Sequence, residues 1–163
     1  MVDLMVYLLA HSYPIQDNEF EEKLIGFYST LDNAKQAILR LTTQNGFKNY
    51  PNDFVIRCLT LNEYFECDYL RDCGEAVTAV AENIENSQFG ELDIIDFLIY
   101  EHSYQIADDI WQDDVKFFGV FDKQIGSAYY ASLKQRFTQG ELFVSSYRLD
   151  TDHWEEGFVT VSY

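Results

Sequence analysis

The sequence predicts an α+β protein made of two tandem ββαβ units, each an antiparallel sheet covered on one face by a helix, with an acidic connecting helix between them. Three observations predict it. The stretch Phe97-Leu98-Ile99-Tyr100-Glu101-His102-Ser103-Tyr104 repeats Val6-Tyr7-Leu8-Leu9-Ala10-His11-Ser12-Tyr13. Three further blocks follow in the same order. Lys23-Leu24-Ile25-Gly26-Phe27-Tyr28 matches Lys116-Phe117-Phe118-Gly119-Val120-Phe121; Leu31, Ala34 and Ala37 match Ile125, Ala128 and Ala131; and residues 54–61 match 142–149. The offset runs 91, 93, 94 and 88, so insertions and deletions fall between the blocks, where loops tolerate them. Finally, each copy sets three β-prone runs around one stretch of helical spacing.

Residues 4–10 read as a first strand, leading into a loop from Pro14 to Glu22, and residues 23–28 as a second. Ser29 stands at the N-cap position with Asp32 three residues on, a capping box with Asp in place of Glu or Gln. Leu31, Ala34, Ala37, Ile38 and Leu41 then form one apolar stripe on a helix ending near Asn45-Gly46, and residues 54–61 make a third strand. The second copy places strands near 96–103, 115–121 and 142–149. Its helix spans about 123–137, capped by Asp122, with Ile125, Ala128, Tyr129, Leu133 and Phe137 as the buried stripe. Each sheet has one apolar face to hide, and a helix covers it. Between the copies, Ala76, Val77, Val80 and Ile84 fit a short amphipathic helix, and residues 62–93 hold nine acids against the single base Arg71. The units are therefore 1–68 and 93–163, packed as one body, with the acidic connection at 69–92.

Composition excludes several classes. At 163 residues, 47% hydrophobic and 17% aromatic, the chain can bury a full core. No run approaches a membrane span, and Met1-Val2-Asp3-Leu4 lacks the positive start of a signal peptide, which leads us to expect a soluble, cytoplasmic protein. Eleven Lys and Arg against 28 Asp and Glu give a net charge of −17, which argues against direct binding of nucleic acid or anionic membrane and favours a cationic partner. Cys58, Cys67 and Cys73 have no CxxC spacing and read as free thiols in a reducing compartment.

No catalytic, metal or cofactor site is expected. His and Ser adjacent on a strand point to opposite faces, so the repeated His-Ser-Tyr triplet does not assemble a nucleophile with its base. The carboxylate pairs Asp108-Asp109, Asp113-Asp114 and Glu155-Glu156 lack the glycine-punctuated spacing of cation loops, and no phosphate-binding loop or HExxH motif occurs. The acids suit recognition better. Asp108, Asp109, Asp113 and Asp114 surround Trp111 without a base, the composition of an aromatic anchor with an electrostatic rim, and Asp152, Glu155 and Glu156 surround Trp154 in the same way. These nine residues are the candidate partner-binding set.

A strand ending in His-Ser-Tyr, Ile25-Gly26-Phe27-Tyr28-Ser29 before an Ala-rich helix, Asn45-Gly46-Phe47-Lys48-Asn49-Tyr50-Pro51, and Trp154-Glu155-Glu156-Gly157-Phe158 together resemble a small bacterial domain family of unknown function. The resemblance spans nearly the whole chain but is split: the first copy has Tyr64-Phe65-Glu66 in place of the Trp motif, and the second lacks the Gly-Phe turn. Small acidic bacterial proteins of this type resemble immunity proteins that neutralise a secreted toxin. The resemblance implies a non-enzymatic binder of a basic toxin domain, such as a nuclease. The alternatives are a nucleic-acid mimic that inhibits a DNA-binding enzyme, or a small hydrolase using His11, His102 or His153 with a carboxylate.

Overall fold

The computed structural model describes residues 4–16, 19–77 and 89–158. The fold is α+β, with two antiparallel sheets and two helices. The first unit contributes β1 (Met5–Gln16), β2 (Glu19–Tyr28), α1 (Leu31–Leu41), β3 (Phe54–Thr60) and the two-residue β4 (Glu75–Ala76), in the order β2-β1-β3-β4. The second contributes β5 (Ile94–Ala107), β6 (Ile110–Phe121), α2 (Lys123–Arg136) and β7 (Glu141–Arg148), in the order β6-β5-β7. The expected Pro14–Glu22 loop is instead the continuation of β1 and β2 into a long hairpin.

The layers follow from the side-chain alternation of the central strands. Val6, Leu8 and Ala10 of β1 share one core with Ile95, Phe97 and Ile99 of β5, so the two sheets stack face to face. Tyr7, Leu9 and Tyr13 point the other way, into a core with Leu31, Ala34, Ala37 and Leu41 of α1. Leu98 and Tyr100 likewise meet Leu133 of α2. The order is helix, sheet, sheet, helix. Each central strand thus hides both faces, not the single apolar face expected, and the unbroken run Val6-Tyr7-Leu8-Leu9-Ala10 is its mark in the sequence.

The units are tied by a reciprocal crossing. Past β3, Leu61 N–H donates to Leu4 O, then Asn62 and Phe65 N–H donate to Val120 O and Phe118 O on the edge of β6. Past β7, Leu149 N–H donates to Asp93 O, then Asp150 and His153 N–H donate to Phe27 O and Ile25 O on the edge of β2. The pattern repeats bond for bond. Asn62 and Asp150 both sit at positive φ (68° and 61°), which their short polar side chains tolerate. Each side chain then reaches the N-terminus of the other unit's helix: Asp122 N–H donates to Asn62 Oδ1 (2.9 Å), and Ser29 N–H to Asp150 Oδ1 (2.8 Å). Gly26 and Gly119 make room. A Cβ on either would collide with the carbonyl of Thr151 or Glu63 in the crossing segment.

Register corrects the sequence alignment. Met5 faces Thr60 and Ile94 faces Arg148, and the bulges at Leu9/Ala10 and Phe97/Ile99 coincide. This makes His11 equivalent to Tyr100 and Tyr13 equivalent to His102, so the two His-Ser-Tyr triplets are two residues out of step. A slip of two preserves the face, which is why the sequences still matched. The helices slip likewise. Thr30 caps α1 by accepting from Asn33 N–H (3.0 Å), with Ser29 one residue before it, and Asp122 caps α2 from Ile125 N–H. The buried positions of α2 are Gly126 and Leu133, while Ile125 and Ala128 of the expected stripe are exposed.

Two further expectations change. Cys67 and Cys73 are disulfide-bonded with Cα atoms 5.5 Å apart, closing a loop around the 3-10 turn at Leu70–Asp72; Cys58 alone is free, and buried. The spacing of six concealed this, because the turn is what returns the chain on itself. The connecting helix expected through Ala76, Val77, Val80 and Ile84 falls mostly outside the described residues, and its first position, Ala76, is strand instead, paired with Arg57. No helix among the described residues is long and apolar enough to cross a membrane.

The crossing gives a direct test. Gly119→Ala combines a φ of 125° with collision against Glu63 O, whereas Gly90→Ala meets a positive φ in open space. Urea denaturation should show G119A losing at least about 2 kcal/mol and G90A about 1 kcal/mol. Equal losses would mean that the close approach of the crossing segment contributes nothing.

Candidate functional site

The nine candidate residues divide between two places. Asp108, Asp109, Trp111, Asp113 and Asp114 lie on the hairpin of β5 and β6, which outruns its sheet. β7 pairs with β5 only as far as Glu101, and the crossing segment pairs with β6 only as far as Phe117. Beyond these points residues 102–116 form a two-stranded ribbon, closed by Asp108-Asp109 with Asp109 at φ 60°, and no other described backbone pairs with it. Trp111 is 64% exposed, Ile106 56% and Ile110 52%, values far above those of the core. Register Gln105↔Trp111 and Ser103↔Asp113 puts Trp111 and Asp113 on one face, and the Ser103 hydroxyl donates to the Asp113 carboxylate. His102↔Asp114 and Tyr104↔Gln112 occupy the opposite face, where partial desolvation and then the Asp114 carboxylate raise the Tyr104 phenol above its ordinary value.

Asp152, Trp154, Glu155 and Glu156 lie far along the chain, on the tail that follows β7 across the first unit. There Asp152 is committed internally. It accepts from Arg40 Nε (2.8 Å) and Nη2 (2.9 Å) and from the Tyr28 hydroxyl, and its side chain is only 8% exposed. The Arg40 hydrogen bond holds its carboxyl below the ordinary value, while burial first, then Asp152, pushes the Tyr28 phenol far up. Trp154 is 46% exposed at φ 63°, and the buried Lys23 amine lies 5.4 Å from its ring centroid and 4.1 Å from that of Phe158. Asp152 and Trp154 thus fasten the tail, while Glu155 and Glu156 face outward. The sequence showed two similar aromatic and acidic clusters; only long-range partners distinguish the exposed one from the structural one.

The histidines occupy three unlike settings. His11 is fully buried among Tyr13, Phe47, Tyr50, Phe54 and Phe158, with Nε2–H donating to Tyr50 O (2.9 Å) and Nδ1 unpartnered among the described residues. His102 is half-buried, its Nδ1 3.1 Å from Gln139 O, and His153 is exposed against the edge of Tyr147. Among the described residues none of the three has a carboxylate as a hydrogen-bond partner, and no group of three His, Cys, Asp or Glu is placed to hold a metal ion. The site offers exposed apolar surface ringed by negative charge, a means of binding. Searches with the chain found no matching family model, curated protein or solved structure.

The buried histidine sets a pH dependence. Burial, partly offset by the Tyr50 carbonyl, lowers the His11 pKa below 6.5. Between that lowered value and about 6.5 the unfolded chain binds a proton that the folded chain does not, so stability is full above this window and falls as pH drops through it. Denaturation midpoints measured from pH 7.5 to pH 5 should fall for the wild type and flatten in His11→Phe; an equal slope in both would assign the dependence elsewhere.

Below the carboxylate range the sign is the same for Asp152, whose depressed pKa makes its contribution present above about 3.8 and lost as pH falls further. Arg40→Ala strands a largely buried carboxylate and should cost about 1–3 kcal/mol at pH 7, narrowing as pH falls below about 3.8. A cost independent of pH would show that the pair contributes only packing.

Proposed function

We propose that this chain is an acidic, immunity-type binding protein that neutralises a basic protein, such as a toxin domain that must itself be cationic to hold nucleic acid. The observation that carries the reading is the projecting ribbon. Two strands without a third are marginal in water, and here they hold Trp111, Ile106 and Ile110 in solvent. From residue 101 to residue 114 the chain has Glu101, Asp108, Asp109, Asp113 and Asp114 and no Lys or Arg. A large aromatic within a rim of one charge sign suits a cationic partner: the ring supplies the desolvated anchor, and the carboxylates speed and orient encounter. The contact set is Asp108, Asp109, Trp111, Asp113 and Asp114. Asp152 and Trp154 act at one remove, holding the tail in place.

The Cys67–Cys73 bond is in tension with a cytoplasmic location, since disulfides persist in oxidising compartments. The reading does not depend on the compartment, because a toxin can be met on either side of a membrane.

With the immobilised protein as bait for extracts of the source cells, one basic protein should be retained at low salt and released as salt rises past about 0.5 M, where screening shortens to a few ångströms. Trp111→Ala should weaken retention about 30-fold, the loss of a hot-spot anchor, and Asp113→Asn with Asp114→Asn should reduce the salt dependence. Retention unaffected by salt and by both variants would overturn the proposal.

A further inference from the structure

The first crossing carries a bond that the second lacks. Cys67 and Cys73 are joined across the 3-10 turn at Leu70–Asp72, whereas the chain past β7 contains no cysteine and is fastened by Asp152 and Trp154. The two sulfurs sit at unlike places. Cys67 pairs with β6 at the root of the ribbon: its N–H donates to Phe117 O (3.0 Å), and its carbonyl accepts from Phe117 N–H (2.8 Å). Cys73 is fully buried in the inter-sheet core, and its backbone is gripped from β3, where Arg57 Nε donates to Cys73 O (2.6 Å) and Nη2 to Gly74 O (3.0 Å). The disulfide thus straps an edge of one sheet to an edge of the other.

What holds the turn besides the disulfide is uneven. At its centre Glu22 accepts from Leu70 N–H (2.9 Å) and Arg71 N–H (3.2 Å), and Leu70 is buried in the same core. At the Cys73 end stand Arg57 and the pairing of β4 with β3. At the Cys67 end, past Phe65, the described residues supply only the bridge to Phe117 and the largely exposed Asp68–Lys116 ion pair (3.1 Å), which contributes little in water. The Cys67 end is the one that depends on the covalent bond.

Access distinguishes the sulfurs in the same direction. Cys67 is half-buried and lines a cavity of about 290 Å³ with Glu63, Phe65 and Glu75, while Cys73 has no exposed surface. An attacking thiolate therefore reaches the Cys67 sulfur first. Cys58 takes no part, because its thiol packs with Tyr7 in the core on the α1 side, the opposite face of the sheet from Cys73.

We infer that Cys67–Cys73 is a thiol-exchange site and a reducible clasp on the first crossing: opening it frees the Cys67 end from β6 at the root of the ribbon and leaves the second crossing in place. The thiolate of a small thiol or dithiol reductant forms a mixed disulfide with Cys67 Sγ. Cys73 Sγ leaves with the electron pair and takes up a proton, and the Tyr69 carbonyl, 3.3 Å away, is placed to accept the new S–H. A second thiolate of the reductant then attacks the reductant's own sulfur and releases Cys67, so two electrons pass to the protein and the reductant ends as its disulfide. The inference does not rest on the ribbon's having a partner.

Treated with dithiothreitol in native buffer and then with iodoacetamide, the full chain should be alkylated at Cys67 while Cys58 stays unmodified. Kept reduced without alkylation, it should exchange the Cys67 and Phe117 amides about 30-fold faster than the oxidised protein, the scale set by closing so short a loop, while Asp150 and His153, which hold the second crossing, change less than about threefold. Cys67→Ser, which removes only the half-buried sulfur, should show the reduced pattern with or without reductant. Alkylation of Cys67 only in step with Cys58, unchanged exchange at Cys67 and Phe117 after reduction, or an equal acceleration at His153 would each overturn the inference.

Discussion

The structure depends on the exchange of chain between its two halves. A ββα unit of this size leaves one sheet face apolar and one edge strand unpaired, and each half here solves both problems with the other. Stacking β1 on β5 hides the faces, and the segments after β3 and β7 run onto the edges of β6 and β2. The hydrogen bonds that do this also anchor the helices, because Asn62 and Asp150 continue from edge pairing into the N-terminal turns of α2 and α1. A boundary drawn at residue 68 therefore describes the sequence and not the mechanics, since residues 62–67 belong spatially to the second half. Each half keeps its own helix cap, Thr30 or Asp122, but neither keeps its edge pairing, its inner face and the hydrogen bond to Ser29 or Asp122 N–H when the other is removed.

Two small residues enforce this arrangement more than any large one. Gly26 and Gly119 lie at equivalent bulges, and the crossing chain approaches each too closely for a Cβ. The repeated Ile-Gly-Phe-Tyr and Phe-Gly-Val-Phe blocks were visible in the sequence as repeats, but nothing local tells a glycine needed for its own φ from one needed for a neighbour's carbonyl. That information belongs to the pairing of segments more than thirty residues apart.

The same distinction sets how far the sequence could be read. The centres of six strands and the two helices α1 and α2 were legible because alternation and the 3.6-residue period are local, whereas the strand extensions past Pro14 and the short β4 at Ala76 were not. The His-Ser-Tyr equivalence failed by two residues because a period of two cannot fix register by itself; the bulges and the β1–β3 and β5–β7 pairings fix it. The α2 stripe failed for a related reason. Gly126 packs against Phe121 as a buried position without a side chain, which an apolar-residue pattern cannot register. At the candidate site, two acid-rich tryptophan clusters looked alike until Arg40, Tyr28 and Lys23 claimed one of them from distant parts of the chain.

What remains after those internal claims is an asymmetry. The halves share the three crossing hydrogen bonds, yet one uses a long connection and the tail to bury its hairpin, while the other shortens the connection and extends the hairpin beyond its sheet. Burying Tyr13 under Tyr50 and Phe158 brings the usual gain of aromatic packing. Leaving Ile106, Ile110 and Trp111 exposed, with His102 and Tyr104 only half-buried, forgoes that gain and places apolar surface in water. The exposure is not spread at random: the exposed ring and aliphatics coincide with five carboxylates between Glu101 and Asp114, none of which has an ion-pair partner among the described residues. Among the described residues, then, the same framework closes the hairpin surface in one half and leaves it open in the other, and the difference lies in the length of the connection and the path of the tail.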